Sequence, residues 1–571
     1  MTSTSDSITN NLPGLVLLIL IIALPLAFLV SIGLLRLYRR TVIRTMGTRA
    51  NVGRTESVPL DSSALPQEPV QTPLSIAVLA CVSGMTAKGG TDNLSTELLR
   101  APWRAAAIYA VAGLCYALVM TIVFLAATDN EILLLRFLIL FWYYAWPVVI
   151  TVCLVAAATW RTRCVVISIY FLILAILGAI ALAGNSVFNW RQIAVLWLFT
   201  NFLAAVLLVA FLNRRIRAVG PLVLTFMILA VTGSLLLPFI VGNDERLLHL
   251  IINFEVALWL GNYIFEGLIV LGFILFGAIG WLMLQWIGRL YKRKKISEQS
   301  IMIDAVWLLF GIFQSVGLIF EGEVWFVASL LAFVVYKIIS WSGFSVLGYR
   351  VSSSRKSPNL LLLRVFSLGQ RSERLFDVLG MHWRYVGSIR LIAGPDLATT
   401  TMEPHEFLDF LSGKLARRFI DSTQTLDLRI SEMDVQPDRD GQFRVNDFFC
   451  YEDTWRMVLS RLIGKSDVVL MDLRGFSSQN AGCVFEINEL INVVSLGRVL
   501  FIIDETTDES FLRQILQQSW DHMSSSSPNR LSTSGALQLF HLKRLSDREL
   551  QQLLHVLAIA AQPAPEAQVL A

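Results

Sequence analysis

Long apolar runs dominate the first 350 residues of the chain, and short apolar runs separated by helical periods occupy the rest. A helix needs roughly 20 mostly apolar residues to cross about 30 Å of hydrocarbon. Residues 14–35 form the first such run. Eight more follow at 105–127, 132–157, 165–183, 193–212, 219–241, 265–287, 301–320 and 324–347. The first has no basic residue before it and four arginines (Arg36, Arg39, Arg40, Arg44) just after it. That order is the reverse of a cleaved signal peptide and predicts an uncleaved anchor. The stretch 247–262 is apolar but carries Glu255, and is read as interfacial or as a tenth span.

Charges flanking the runs alternate. One set of loops holds Arg36 through Arg104, Arg161 and Arg163, Arg214, Arg215 and Arg217, and "RLYKRKK" from Arg289. The other holds Asp129, Glu131, Asp244, Glu245, Glu321 and Glu323, with only Arg191 and Arg246 as basic residues. Basic loops stay cytoplasmic. The pattern predicts residues 1–13 outside, an anchor helix at 14–35, a cytoplasmic loop at 36–104, an eight-helix region at 105–347 and a cytoplasmic domain at 351–561. Residues 562–571, with "QPAPEAQ", read as a loose, disordered tail. Within the loop, "PLDSSALPQEPVQTP" is linker-like, and "LSIAVLACVSGM" is too short to span and reads as a strand or a surface-lying piece. Arg136, Glu266, Asp304 and Lys337 are charges within or at the ends of the runs, and no paired acidic relay is evident.

After Tyr349 the period changes. "LLLLRVF" (360–366), "SIRLIAG" (388–394), "DLRISEM" (427–433), "DVVLMDL" (467–473), "RVLFIID" (498–504) and "ALQLFHL" (536–542) read as strands. "EPHEFLDFLSGKLARRF" (403–419) reads as a helix, with Phe407, Leu411, Leu415 and Phe419 four residues apart. Alternation of this kind predicts a mainly parallel sheet with helices on both faces. The expected fold is a membrane all-α region of about nine helices plus a C-terminal α/β, Rossmann-like domain.

Composition sharpens this division. The chain has 571 residues, 55% hydrophobic and 16% charged, against about 25% charged in soluble proteins. Its net charge is +4, from 47 basic and 43 acidic residues; 23 and 27 of these lie in residues 351–571, leaving 24 and 16 before them. The basic excess belongs to the membrane region, and the mildly acidic tail has no nucleic-acid footprint. The six cysteines include no C-x-x-C pair, and no metal site is suggested.

Ligands of parallel sheets bind beyond the carboxyl ends of the strands. Those ends hold Asp472 and Arg474, followed by the loop with Ser477 and a helix carrying Glu486. Asp396 and Asp504 end two further strands. There is no G-x-G-x-x-G, and "LSGKLA" lacks the first glycine of a P-loop.

"LLLLRVF", "GSIRLIAGPD", "CYEDTWRMVLSRLIGKSDVVLMDLRG" and "GCVFEINEL" resemble the C-terminal domain of a group of uncharacterised bacterial multi-pass membrane proteins. The last motif is similar to TIR (Toll/interleukin-1 receptor) domains, whose W-C-x-x-E-L helix carries the glutamate used in NAD cleavage. Cys483 and Glu486 keep the C-x-x-E spacing, and Gly482 stands where the TIR tryptophan would be. The resemblance implies a bacterial inner-membrane location and a catalytic role for Glu486, with Asp472, Arg474, Ser477, Asp396 and Asp504 around a nucleotide or NAD. Partners implied are the bilayer, the nucleotide and a second copy of the chain. The plainer reading of Glu486 and Asp472 is that they cap a helix and satisfy loop amides. Three functions follow: a sensor whose tail binds a nucleotide or partner, a membrane-tethered NAD- or nucleotide-cleaving defence effector, and a transporter with a regulatory tail.

Overall fold

The computed structural model describes residues 2–47, 74–79, 92–128, 133–184, 189–252, 263–319, 323–346, 357–365, 370–394, 402–530 and 536–562. The chain divides into two units. The first comprises Met1–Leu37, Trp103–Tyr349 and Met402–Leu411, and the second Tyr38–Pro102, Arg350–Thr401 and Ser412–Ala571.

The helices are α1 (Thr2–Gly47), α2 (Asp92–Ala127), α3 (Leu134–Tyr144), α4 (Trp146–Val155), α5 (Trp160–Gly184), α6 (Trp190–Leu212), α7 (Arg214–Asn243), α8 (Glu245–Ile252), α9 (Ile264–Lys292), α10 (Glu298–Ile319) and α11 (Glu323–Val346). Among the described residues, nine segments are long and apolar enough to cross a membrane, and each corresponds to one predicted run. The third, Leu134–Val155, breaks at Ala145 into α3 and α4. Pro147 explains the break, because its ring removes one helical donor and crowds the preceding turn. Of the ambiguous stretch 247–262, only the part within α8 lies among the described residues.

Two contacts define this unit. Gly233 of α7 and Gly272 of α9 meet so closely that a Cβ on either would collide with the other's carbonyl oxygen. Small residues are what permit two helix backbones to approach this closely. Lys337 of α11 pairs with Asp304 of α10 at 2.7 Å, so two charges that the sequence left separate form one ion pair. Helix α12 (Gln370–Trp383) belongs to the second unit, whereas α13 (Pro404–Leu411) packs in the first. There the His405 ring stacks on Tyr291 of α9 at 5.7 Å.

The second unit is built on an eight-stranded sheet of β1 (Ser75–Leu79), β2 (Leu360–Arg364), β3 (Ile389–Ala393), β4 (Phe419–Ile420), β5 (Val445–Cys450), β6 (Val468–Asp472), β7 (Val499–Ile503) and β8 (Ala536–His541). Its order is β1-β8-β7-β6-β2-β3-β5-β4, with every pairing parallel. β2, β3, β6 and β7 are buried at every position, as apolar strands covered on both faces must be. The odd-numbered residues Leu361, Leu363, Val469 and Met471 join a core with α14 (Thr423–Ser431), α15 (Trp455–Ile463), α16 (Ala481–Val493) and α17 (Glu509–Asp521). α18 (Asp547–Ala560) completes the unit.

Two expectations change and one alternative is decided. Residues 427–433 are not a strand: Ser422 and Thr425 form a capping box that starts α14, and Leu426 and Ile430, four apart, are buried. The helix read at 403–419 stops at Leu411, and Gly413, at φ 70°, turns the chain out of it. "LSIAVL" takes the strand alternative, because β1 pairs with β8 across some 460 residues of chain, Ser75 opposite Ala536.

Candidate functional site

From β2 the chain passes to β3, on to the edge strand β4 and back to β5, then crosses to β6 beside β2 and runs the other way through β7 and β8. The strand order therefore reverses between β2 and β6, and a crevice at such a reversal is where parallel sheets hold ligands. Arg364 and Asp472 are the paired last residues of these two strands.

Asp472 is 1% exposed and fully engaged. Its Oδ1 accepts from Arg474 Nε at 2.8 Å, and its Oδ2 from Arg474 Nη2 at 2.7 Å. Ser372, in the first turn of α12, donates to Oδ2 at 3.3 Å. Arg474 Nη2 also donates to the Arg371 carbonyl at 3.2 Å. Burial works against the Arg474 charge, but the hydrogen bonds and charge of Asp472, with the charge of Asp504, outweigh it and raise the guanidinium's pKa. Such a two-point pair is geometrically specific. It also occupies the fork that a phosphate would need.

Arg371 sits beside this pair with its side chain half exposed, reaching Asp504 at 3.3 Å. Asp504 otherwise accepts from the Thr506 amide at 2.9 Å, closing the loop after β7. After Arg474, Gly475 takes φ 70°, a conformation that costs a glycine nothing. Ser477 is used locally, its amide donating to Asn480 Oδ1 at 2.9 Å. Asn480 precedes α16, whose first residues, Ala481 and Gly482, are exposed.

Glu486 departs from the expectation of a carboxylate in an open cleft. It lies on the stripe of α16 that also buries Cys483, Ile487 and Leu490, and is 2% exposed. Its Oε2 is buried without a hydrogen-bond partner among the described residues. Burial pushes its pKa up to about 8, and the Arg364 charge only partly offsets this. The carboxyl is therefore mostly neutral at pH 7. Burial raises the Cys483 thiol as well, and Glu486 adds to the shift, so the thiol is not an activated nucleophile.

The structure thus brings Asp472 and Arg474 into one cluster, with Glu486 near enough to feel the Arg364 charge, and sets Asp504 at its edge. Asp396 lies outside the described residues. Sequence reasoning missed Arg371 and Ser372. Their signal was position: both open the helix that follows the central strand β2. A side chain at the exposed Gly482 would meet the indole of Trp455 in ordinary van der Waals contact, 3.9 Å from its Cβ. Trp455 packs edge-on against Phe485 at 5.6 Å, and Arg456 lies over both rings. Among the described residues, no group of three His, Cys, Asp or Glu is placed to hold a metal ion. No family model, curated protein or solved structure matches this chain.

Proposed function

We propose that this is a multi-pass inner-membrane protein of bacterial type whose cytoplasmic, Rossmann-like and distantly TIR-like domain binds an anionic, nucleotide-type ligand and signals its presence. The observation that carries this reading is the charged cluster at the sheet reversal: Arg474 locked on Asp472, with the half-exposed Arg371 beside it. The exposed first turn of α16 adds amide donors that favour anions. In this reading Asp472 and Arg474 hold the strand end in shape, and Arg371 exchanges Asp504 for the ligand's phosphate. The basic loops at one end of the nine apolar helices support the cytoplasmic placement.

The alternative is a glycohydrolase in which Glu486 steadies an oxocarbenium-like transition state. That chemistry calls for an ionised carboxylate facing the sugar. A side chain 2% exposed and mostly neutral at pH 7 favours binding over cleavage. Titration calorimetry of the full chain in nanodiscs against NAD, ATP and GTP tests the proposal. Binding of one of these, weakened about tenfold by Arg371→Gln, is expected, and no heat from any of them contradicts it.

A further inference from the structure

A cavity of about 930 Å³ opens within the first unit, independent of the sheet. That is near the upper end of the ~300–1,000 Å³ of ligand clefts. Its walls include Phe124 of α2, Leu140 of α3, Leu196 and Phe199 of α6 and Phe313 of α10. Several segments reach it near their ends: Phe124 close to the end of α2, Ile193 close to the start of α6 and Leu318 close to the end of α10, while Thr200 lines it further along α6. The cavity therefore extends inward from one rim of the apolar helices, where hydrocarbon gives way to headgroups.

Four of its polar wall residues already have partners. Tyr143 Oη donates to the Ile193 carbonyl at 3.0 Å, Gln314 Nε2 to the Thr200 carbonyl at 2.7 Å, and Thr200 Oγ1 to the Leu196 carbonyl at 2.7 Å. Gln192 Oε1 accepts from the Asn189 amide at 3.1 Å. Arg136, in the first turn of α3, differs. It lines the cavity and makes no ion pair or hydrogen bond among the described residues. The mainly apolar walls suit a hydrocarbon chain, and a guanidinium at the rim selects a carboxylate or phosphate.

We propose that this cavity binds one anionic amphiphile, its hydrocarbon chain along Leu140, Leu196 and Phe199 and its carboxylate or phosphate head on Arg136. The occupant is a distinct ligand, separate from the lipid that coats the outer faces of the helices.

The test uses the full chain in detergent and three spin-labelled single-chain probes: a stearate, a lysophosphatidic acid and a lysophosphatidylcholine. The immobilised fraction of each is read by electron paramagnetic resonance. About one equivalent of an anionic probe should be held. Uptake of the stearate, the lysophosphatidic acid or both supports the site and identifies its head preference. Arg136→Gln, an exposed position that leaves packing intact, should weaken binding about tenfold, the scale of one charge-assisted contact. Leu196→Trp, which narrows the cavity beside the path of the hydrocarbon chain, should weaken it further. The proposal is overturned if the zwitterionic probe binds as well as the anionic ones, if neither anionic probe is held, or if both variants bind like the parent.

Discussion

Two ion pairs, one in each unit, are completed to different degrees. In the helical unit, Lys337 and Asp304 meet at 2.7 Å, yet Asp304 Oδ1 has no hydrogen-bond partner among the described residues and the Lys337 side chain is 39% exposed. In the sheet unit, both oxygens of Asp472 are engaged by Arg474, with Ser372 adding a third donor. The cause lies in the backbone. Within a helix the amides are already committed to the helix itself, so a charge can be met only by another side chain. At the end of a parallel strand the chain leaves the ladder, and loop amides and the next helix's first turn are free to join a network. A completed polar network of this kind belongs at strand ends.

The largest effect should come from breaking the better-satisfied pair. Asp472→Asn leaves the Arg474 cation buried and unbalanced, a loss of about 3–5 kcal/mol. Asp304→Asn should cost far less, because Lys337 can turn toward the interface. Thermal unfolding of both variants in nanodiscs gives the order, and equal losses would dissolve the contrast. Next is Gly272→Leu, which forces apart the crossing of α7 and α9 and should cost at least the ~1–3 kcal/mol of ordinary overpacking. The same unfolding assay reads it, and a neutral result would mean that the crossing is not close-packed.

The third effect is a pH dependence. Glu486 has its folded pKa raised to about 8 from 4.5, so folding takes up a proton between these values. Its cost is absent below about pH 4.5, grows by about 1.4 kcal/mol per pH unit through the window and is complete above about pH 8. Glu486→Gln should therefore be more stable than the parent at pH 8 and equal to it at pH 4. Parallel pH profiles of the two proteins would refute the burial of this carboxyl.

Much of this could be read from the sequence, for identifiable reasons. Apolar length alone picks out a membrane-length helix, so all nine runs were legible. Continuous apolar strands such as "DVVLMDL" were legible too, and with them the place of Asp472 at a strand end. β5 was hidden because Asn446 and Asp447 interrupt its run. The pairing of β1 with β8 is non-local, and no local pattern encodes it. Residues 427–433 misled because Leu428 and Ile430 mimic a strand period, whereas Leu428 is exposed. The burial of Glu486 was available in the sequence: Cys483, Glu486, Ile487 and Leu490 fall at helical spacings on one stripe. The selection of Arg371 and Ser372 depends on β2 lying beside β6, which only the fold supplies.

The central claim is that the cluster at the reversal of the sheet binds an anionic nucleotide and that Glu486 takes no chemical part. Calorimetry of the full chain with NAD, ATP and GTP, repeated on Arg371→Gln and Glu486→Gln, tests it most directly. The account predicts saturable binding of one nucleotide, without turnover, weakened about tenfold by Arg371→Gln and kept by Glu486→Gln. Absence of binding, or nucleotide cleavage that disappears in Glu486→Gln, would contradict it.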